Sequence, residues 1–179
     1  MRFSILYNDE IKKCNLLELM NLSLSKFKNK SMSKYIRTYE TLWADMDPNR
    51  HMRHTAYNDY AAQVRVAFMG EHGMGLDTME KLHIGPVLFR EETKFLKEVR
   101  MGEIIKVDMC LAGMSKDGER WKMVHHVFKQ NEKIAAIITV DGAWIDMHTR
   151  KLTSPPEEML KYFEELDKTE DYLEIVKRG

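Results

Sequence analysis

From Ser33 onward the chain switches between two hydrophobic periods. Lys34 to Ala44 is rich in Tyr, Ile, Thr and Trp and predicts a strand. Asp45 to Arg53 is polar, contains Pro48 and Asn49, and predicts a turn. Tyr57, Tyr60, Ala61, Val64 and Phe68 then recur at helical spacing, with His54 or Thr55 near the start and Gly70 just past the end. Leu76 to Leu82 predicts a short helical turn. After Gly85-Pro86 come four strand-like runs, Val87–Val99, Glu103–Met114, Glu119–Gln130 and Lys133–Met147, separated by hairpin-length connections. Ser154-Pro155-Pro156-Glu157-Glu158 opens a last helix, with Met159, Leu160, Phe163 and Leu166 as its apolar stripe. The order is strand, long helix, four antiparallel strands, terminal helix. One helix inserted after the first strand is most economically covered by a strongly twisted sheet wrapped around it, an α+β arrangement.

Residues 1–31 break this regularity. They hold six basic against three acidic residues, a net +3 that leaves the remainder at −3. Leu17, Met20, Leu24 and Phe27 mark one stripe of a helix, so residues 1–33 read as an extension, either an amphipathic helix or a disordered tail. The domain proper is then 34–179. Over the whole chain, 28 Lys+Arg balance 28 Asp+Glu, which argues against nucleic acid as a partner. Two cysteines, Cys14 and Cys110, make no disulfide framework, and no apolar run is long enough to span a bilayer. A cytoplasmic location is the expectation.

Candidate chemistry concentrates in WADMDPNRHMRHTAYNDY, Trp43 to Tyr60. Asp47 sits just before the turn, and His54 and Tyr57 stand at the start of the long helix. A helix N-terminus offers unpaired N–H groups and a positive dipole end, which suit a carbonyl oxygen that gains charge during acyl transfer. A carboxylate a few residues upstream could attack that carbonyl or activate water. The same Asp-Pro-Asn would also serve as an ordinary turn. Asp45, Asp47, His51 and His54 include metal-ligand types, but the two histidines straddle a turn-to-helix junction, which disfavours a shared metal. His125 and His126 are adjacent in a strand and point to opposite faces, one to the core and one to the surface. Asp59 falls off the apolar stripe and should face solvent. Cys110, with no His motif beside it in sequence, reads as structural. Arg90, Lys94, Lys97 and Arg100 are cations able to meet phosphates.

The stretch resembles the signature of the 4-hydroxybenzoyl-CoA thioesterase family, the hot-dog-fold acyl-CoA thioesterases. In that pattern an aromatic, Asp-x-Asp, a short turn, His or Asn, and Tyr follow one another, and Trp43, Asp45, Asp47, His54 and Tyr57 occupy those places. Val87 to Glu92, Val99 to Glu103 and Asp146 to Pro156 extend the likeness over most of residues 35–160. The resemblance implies a hot-dog fold of five or more antiparallel strands around a central helix. It also implies hydrolysis of an acyl-CoA to a free acid and coenzyme A, with no other cofactor and no metal. By position Asp47 becomes nucleophile or general base, the backbone at His54 holds the oxyanion, and Tyr57 packs beside the site. Arg90, Lys94 and Arg100 would bind the coenzyme A part of the substrate. A homodimer or homotetramer is implied, with the site at a subunit interface. An acyl-carrier-protein thioester as substrate, or an acyl-CoA-binding module without hydrolysis, are the alternatives. Where the family usually has Gly, three residues after the Asp, this chain has Arg50, which costs conformational energy if φ is positive there.

Overall fold

The computed structural model describes residues 32–176. Apart from Met32 and Ser33, the expected extension with its stripe from Leu17 to Phe27 lies outside the described residues. The elements are β1 (Ile36–Glu40), a 3-10 turn (Trp43–Asp45), α1 (His54–Glu71), α2 (Leu76–Leu82), β2 (Ile84–Phe95), β3 (Ile104–Asp108), β4 (Cys110–Met114), β5 (Arg120–Lys129), β6 (Ile134–Asp146), α3 (Glu157–Glu164) and β7 (Lys168–Glu174).

All seven strands join one sheet. β5 is its spine: it pairs antiparallel with β6 on one edge and with β3 and β4 on the other. β6 pairs in turn with β2, which has no further neighbour among the described residues and forms one edge of their sheet. At the opposite edge β1 pairs with β3, and β7 lies parallel to β4. The register of β2 against β6 shifts between Leu88 and Arg90, a bulge in the middle of the edge strand.

The 18-residue α1 fills the concave side. Its predicted stripe is the face that is buried: Tyr57, Tyr60, Ala61, Val64 and Phe68 join Ile105, Val107, Leu111, Met123, Val127 and Ile138 of the sheet in one apolar core. This is the sheet-around-one-helix arrangement that the hydrophobic pattern demands. Asp59 is exposed, as its position off the stripe requires. No helix among the described residues is long and apolar enough to cross a membrane.

The sequence pattern and the structure part at several points. Gly70 lies inside α1 and does not follow its end. The run Glu103–Met114 is not one strand; it breaks at Met109, whose N–H bonds to the Tyr35 carbonyl at 3.0 Å and not to a sheet neighbour. The terminal helix does not close the chain, because β7 follows it. One of the pair His125 and His126 is expected at the surface, yet both are fully buried, His126 included. Its burial is tolerated because the Asp108 carboxylate lies against it: Oδ1 accepts from the His126 backbone N–H at 2.7 Å and lies 2.9 Å from Nδ1. Ser33, whose N–H donates to Asp108 Oδ2 at 3.2 Å, helps to close that face.

Candidate active site

The corner between β1 and α1 is held by backbone bonds before any side chain contributes. The Met46 and Met52 backbones form a bridge, the Met52 N–H donates to the Val99 carbonyl at 2.7 Å, and the Arg53 N–H donates to the Asp45 carbonyl at 2.7 Å. These bonds pin residues 46–53 against the segment that follows β2. Within the loop the Asp47 N–H donates to the His51 carbonyl at 2.8 Å, and the Arg50 N–H donates back to the Asp47 carbonyl at 3.0 Å. Closing this turn puts Arg50 at φ +63°, in the left-handed region. The Arg that replaces the family's usual Gly therefore adopts the glycine-favoured conformation, at a cost of about 1–2 kcal/mol.

The two aspartates of the motif have separate tasks. Asp45 Oδ2 accepts from the Leu42 N–H at 2.8 Å and from the Tyr60 hydroxyl at 2.6 Å, fastening the 3-10 turn to α1. Burial and this neighbouring carboxylate push the Tyr60 phenol well above its ordinary value, so it stays a donor. Asp47 Oδ1 accepts from the N–H groups of Asn49 at 2.8 Å and His51 at 3.1 Å. Asp47 Oδ2 has no hydrogen-bond partner among the described residues and is left for other chemistry.

His54 is the first residue of α1, and no side chain among the described residues caps the helix. Its N–H and that of Thr55 have no intrahelical acceptor, whereas Ala56 already donates to the Arg53 carbonyl at 3.0 Å. The first turn carries no acidic side chain, so the positive end of the dipole is not neutralised locally. Tyr57 is buried one turn deeper, its ring edge-on to Phe95 at 5.2 Å and its hydroxyl 3.5 Å from the Lys97 carbonyl. Desolvation raises its phenol above the ordinary value, and it is protonated at neutral pH. Asp47, His51, His54, Tyr57, Phe95 and Lys97 line one open cleft of about 390 Å³. The three residues singled out by the motif, Asp47, His54 and Tyr57, thus meet at one cleft.

The three cations proposed for the coenzyme lie elsewhere along the same strand and beyond it. Arg90 and Lys94 are exposed on β2 and both flank Glu92, with Lys94 Nζ at 4.0 Å. Arg100 pairs with Glu98 at 2.8 Å, and Glu98 also meets His51 Nε2 at 3.1 Å. Lys97 is the cation that lines the cleft, and it continues with Lys129 and Lys133 into an adjoining groove of about 470 Å³.

Two groups escaped the sequence reading. Asp108, Cys110 and His126 bring metal-type donor atoms within 4.8 Å of one another, although Cys110 and His126 belong to different strands. Strand pairing makes this cluster, and no spacing in one strand reveals it. Asp108 already accepts from Ser33 and His126, so its carboxylate is engaged by protein donors. The second group is Arg65, in the second half of α1, whose NH1 lies 3.1 Å from His125 Nε2 and whose NH2 lies 3.9 Å from Glu91. Burial, with the Arg65 charge beside it, drives the His125 pKa down to about 3. The neutral ring donates from Nδ1 to the Asp108 carbonyl at 2.8 Å and accepts from Arg65 at Nε2.

Known proteins of this shape bear on the arrangement. A Staphylococcus aureus protein solved in complex with CoA is 23% identical, with a TM-score of 0.68 over 79% of this chain and 91% of its own. A 1,4-dihydroxy-2-naphthoyl-CoA thioesterase from Synechocystis is 10% identical, with a TM-score of 0.67 over 73% of this chain and 96% of its own. A DHNA-CoA thioesterase from Staphylococcus aureus is 17% identical, with a TM-score of 0.65 over 72% and 87%. At these identities the likeness establishes the hot-dog fold. No curated protein matches the sequence. Residues 41–163, which run from the end of β1 through α3, match the sequence profile of the thioesterase-like superfamily, and the chain belongs to that family.

Proposed function

We propose that this protein is an acyl-CoA thioesterase that releases a free carboxylic acid and coenzyme A. The observation that carries the reading is the pairing of one unengaged carboxylate oxygen, Asp47 Oδ2, with the open N–H groups of His54 and Thr55 around a single cleft. Membership of the thioesterase-like superfamily, and structural neighbours named as CoA thioesterases, support it.

In the mechanism the thioester carbonyl oxygen sits on the α1 N-terminus. Asp47 Oδ2 takes a proton from a water whose oxygen adds to the carbonyl carbon. The charge that develops on the carbonyl oxygen meets the two N–H groups and the helix dipole. Collapse breaks the carbon–sulfur bond, and the proton on Asp47 passes to the departing thiolate. Direct attack by Asp47, through a mixed anhydride that water then opens, uses the same atoms. Tyr57 and His54 position the acyl group. The coenzyme phosphates fall to Lys97 in the cleft and Lys133 in the adjoining groove, with Arg100, Arg90 and Lys94 further out as cations for the rest of the coenzyme.

The site works as part of a homo-oligomer, with a homodimer through the β2 edge as its smallest form. β2 is 12 residues long, has no partner on one side among the described residues, and exposes Leu88, Phe89 and Phe95. An edge of that length and apolarity calls for a partner strand.

The test is free-thiol release from short, long and aromatic acyl-CoAs, and from the same acyl groups on a carrier protein. Hydrolysis of CoA thioesters is expected, and Asp47→Asn should lower kcat by about 10²–10⁴-fold. Hydrolysis confined to carrier-protein substrates, tight acyl-CoA binding without thiol release, or full activity in Asp47→Asn would each overturn the reading.

A further inference from the structure

Where β3 gives way to β4, three side chains of metal-ligand type come together on one face of the sheet. The pairing with β5 keeps one phase across the break: Val107 of β3 stands opposite Val127, and Cys110 of β4 opposite Val124. Asp108 therefore falls opposite His126, and Cys110, two residues on, shares its face. The three offer a carboxylate oxygen, a thiol sulfur and a ring nitrogen, all within 4.8 Å of one another. None of the three residues is more than 3% exposed. They share no residue with the Asp47 cleft.

The separations suit an ion. Asp108 Oδ1 lies 2.9 Å from His126 Nδ1, and Cys110 Sγ lies 4.0 Å from Asp108 Oδ2. Ligand atoms around a tetrahedral zinc, bonded at about 2.0–2.3 Å, stand roughly 3.2–3.8 Å apart, a range that these two contacts bracket. The hydrogens that the thiol and the ring aim at the carboxylate are the ones a metal replaces. The backbone N–H groups of His126, at 2.7 Å, and Ser33, at 3.2 Å, remain on Asp108 and hold it in place. A separate observation concerns the other ring nitrogen. His126 Nε2 is buried and has no hydrogen-bond partner among the described residues. The ring proton can therefore sit at Nε2 without displacing a donor, which turns the Nδ1 lone pair toward the cluster.

We propose that Asp108, Cys110 and His126 bind a zinc ion that fastens the break between β3 and β4 to β5. A thiolate with an imidazole selects zinc over magnesium or calcium, which take oxygen ligands. On binding, the Cys110 thiol gives its proton to solvent and the sulfur bonds the ion as thiolate. One charge on the sulfur and one on the carboxylate then balance the two on zinc, and the buried cluster carries no net charge. Water or a hydroxyl completes the four ligands. Full burial gives a substrate no access, so the ion is structural and takes no part in the chemistry at Asp47. The proposal stands apart from the thioesterase reading.

A buried site loads as the chain folds, so the full chain is expressed in minimal medium supplemented with Co²⁺ or Zn²⁺ and dialysed before measurement. The cobalt-grown protein should hold one ion per chain and show a thiolate-to-cobalt charge-transfer band in the near ultraviolet. Cys110→Ser should abolish that band, and Cys14→Ser, which alters the other cysteine, should leave it intact. Zinc-grown protein should melt at a higher temperature than protein grown in chelator-treated medium. No bound ion, an ion without a thiolate band, or a band that survives Cys110→Ser would each overturn the proposal. Should Cys110→Ser fail to fold, X-ray absorption of the zinc-grown parent decides. One sulfur together with nitrogen and oxygen around the zinc upholds the site, and no sulfur, or two, sinks it.

Discussion

Asp45 and Asp47 are two residues apart, carry the same functional group, and differ entirely in what surrounds them. Asp45 is consumed by Leu42 and Tyr60, and Asp47 keeps one oxygen unengaged. Tyr60→Phe should cost about 1–2 kcal/mol in denaturant unfolding by removing a hydrogen bond to a charged group, while Asp47→Asn should change stability little and activity greatly. Arg50 supplies a third contrast. Its φ of +63° is backbone strain carried by an exposed side chain. Arg50→Gly removes that strain but loosens the unfolded chain, so the expected net effect is a gain of up to about 1 kcal/mol. Arg50→Val should lose more than about 1 kcal/mol, because a β-branched residue is worse still in that region. The Asp47 corner was legible in the sequence because all its parts lie within fourteen residues of one another, from Trp43 to Tyr57. Arg65 was not, since its meaning comes from Glu91 and His125, which only the sheet brings near.

At the scale of elements, the helices and the long strands follow from period and turn chemistry, and the failures have a common cause. β7 reads Lys-Thr-Glu-Asp-Tyr-Leu-Glu, with almost no apolar alternation, because it is an edge strand held by pairing with β4 and buries only Thr169 fully. Nothing local announces it. The break at Met109 is equally invisible, for it arises between β3, whose outer neighbour is β1, and β4, whose outer neighbour is β7. Alternation sets His125 and His126 on opposite faces but does not tell whether both faces are covered, so the expected surface histidine of the pair is buried as well. Packing between elements is tightest at Gly142 of β6, where an added Cβ would lie 2.4 Å from the Trp121 ring and 2.7 Å from the Val87 carbonyl. Gly142→Ala should therefore push β5, β6 and β2 apart and cost about 1–3 kcal/mol in thermal or denaturant unfolding.

For the molecule as a whole, the buried neutral His125 sets a direction for acid sensitivity. Its pKa is about 3 in the folded chain and about 6.5 when unfolded, so the unfolded state binds more protons between these values. Stability should be undiminished by this group above pH 6.5 and fall as pH drops toward 3, by up to about 1.4 kcal/mol per pH unit. Measuring unfolding free energy against pH for the parent and for His125→Gln checks it: the variant should show a shallower acid slope. The dimer has its own test. Phe89→Lys on the exposed edge should shift the sedimentation coefficient toward a monomer and reduce thioesterase activity with it.

The bulge between Leu88 and Arg90 does more than kink a strand. A flat edge can accept a neighbour in many offsets and hand on an equally good edge to the next arrival. An irregularity in mid-strand is matched only when two copies meet head to tail about that point, and any slipped pairing sets a bulge against regular backbone. Once matched, both edges are used up. In the dimer proposed above, the same defect would single out one register along this edge, and so act as a brake against slipped or staggered association.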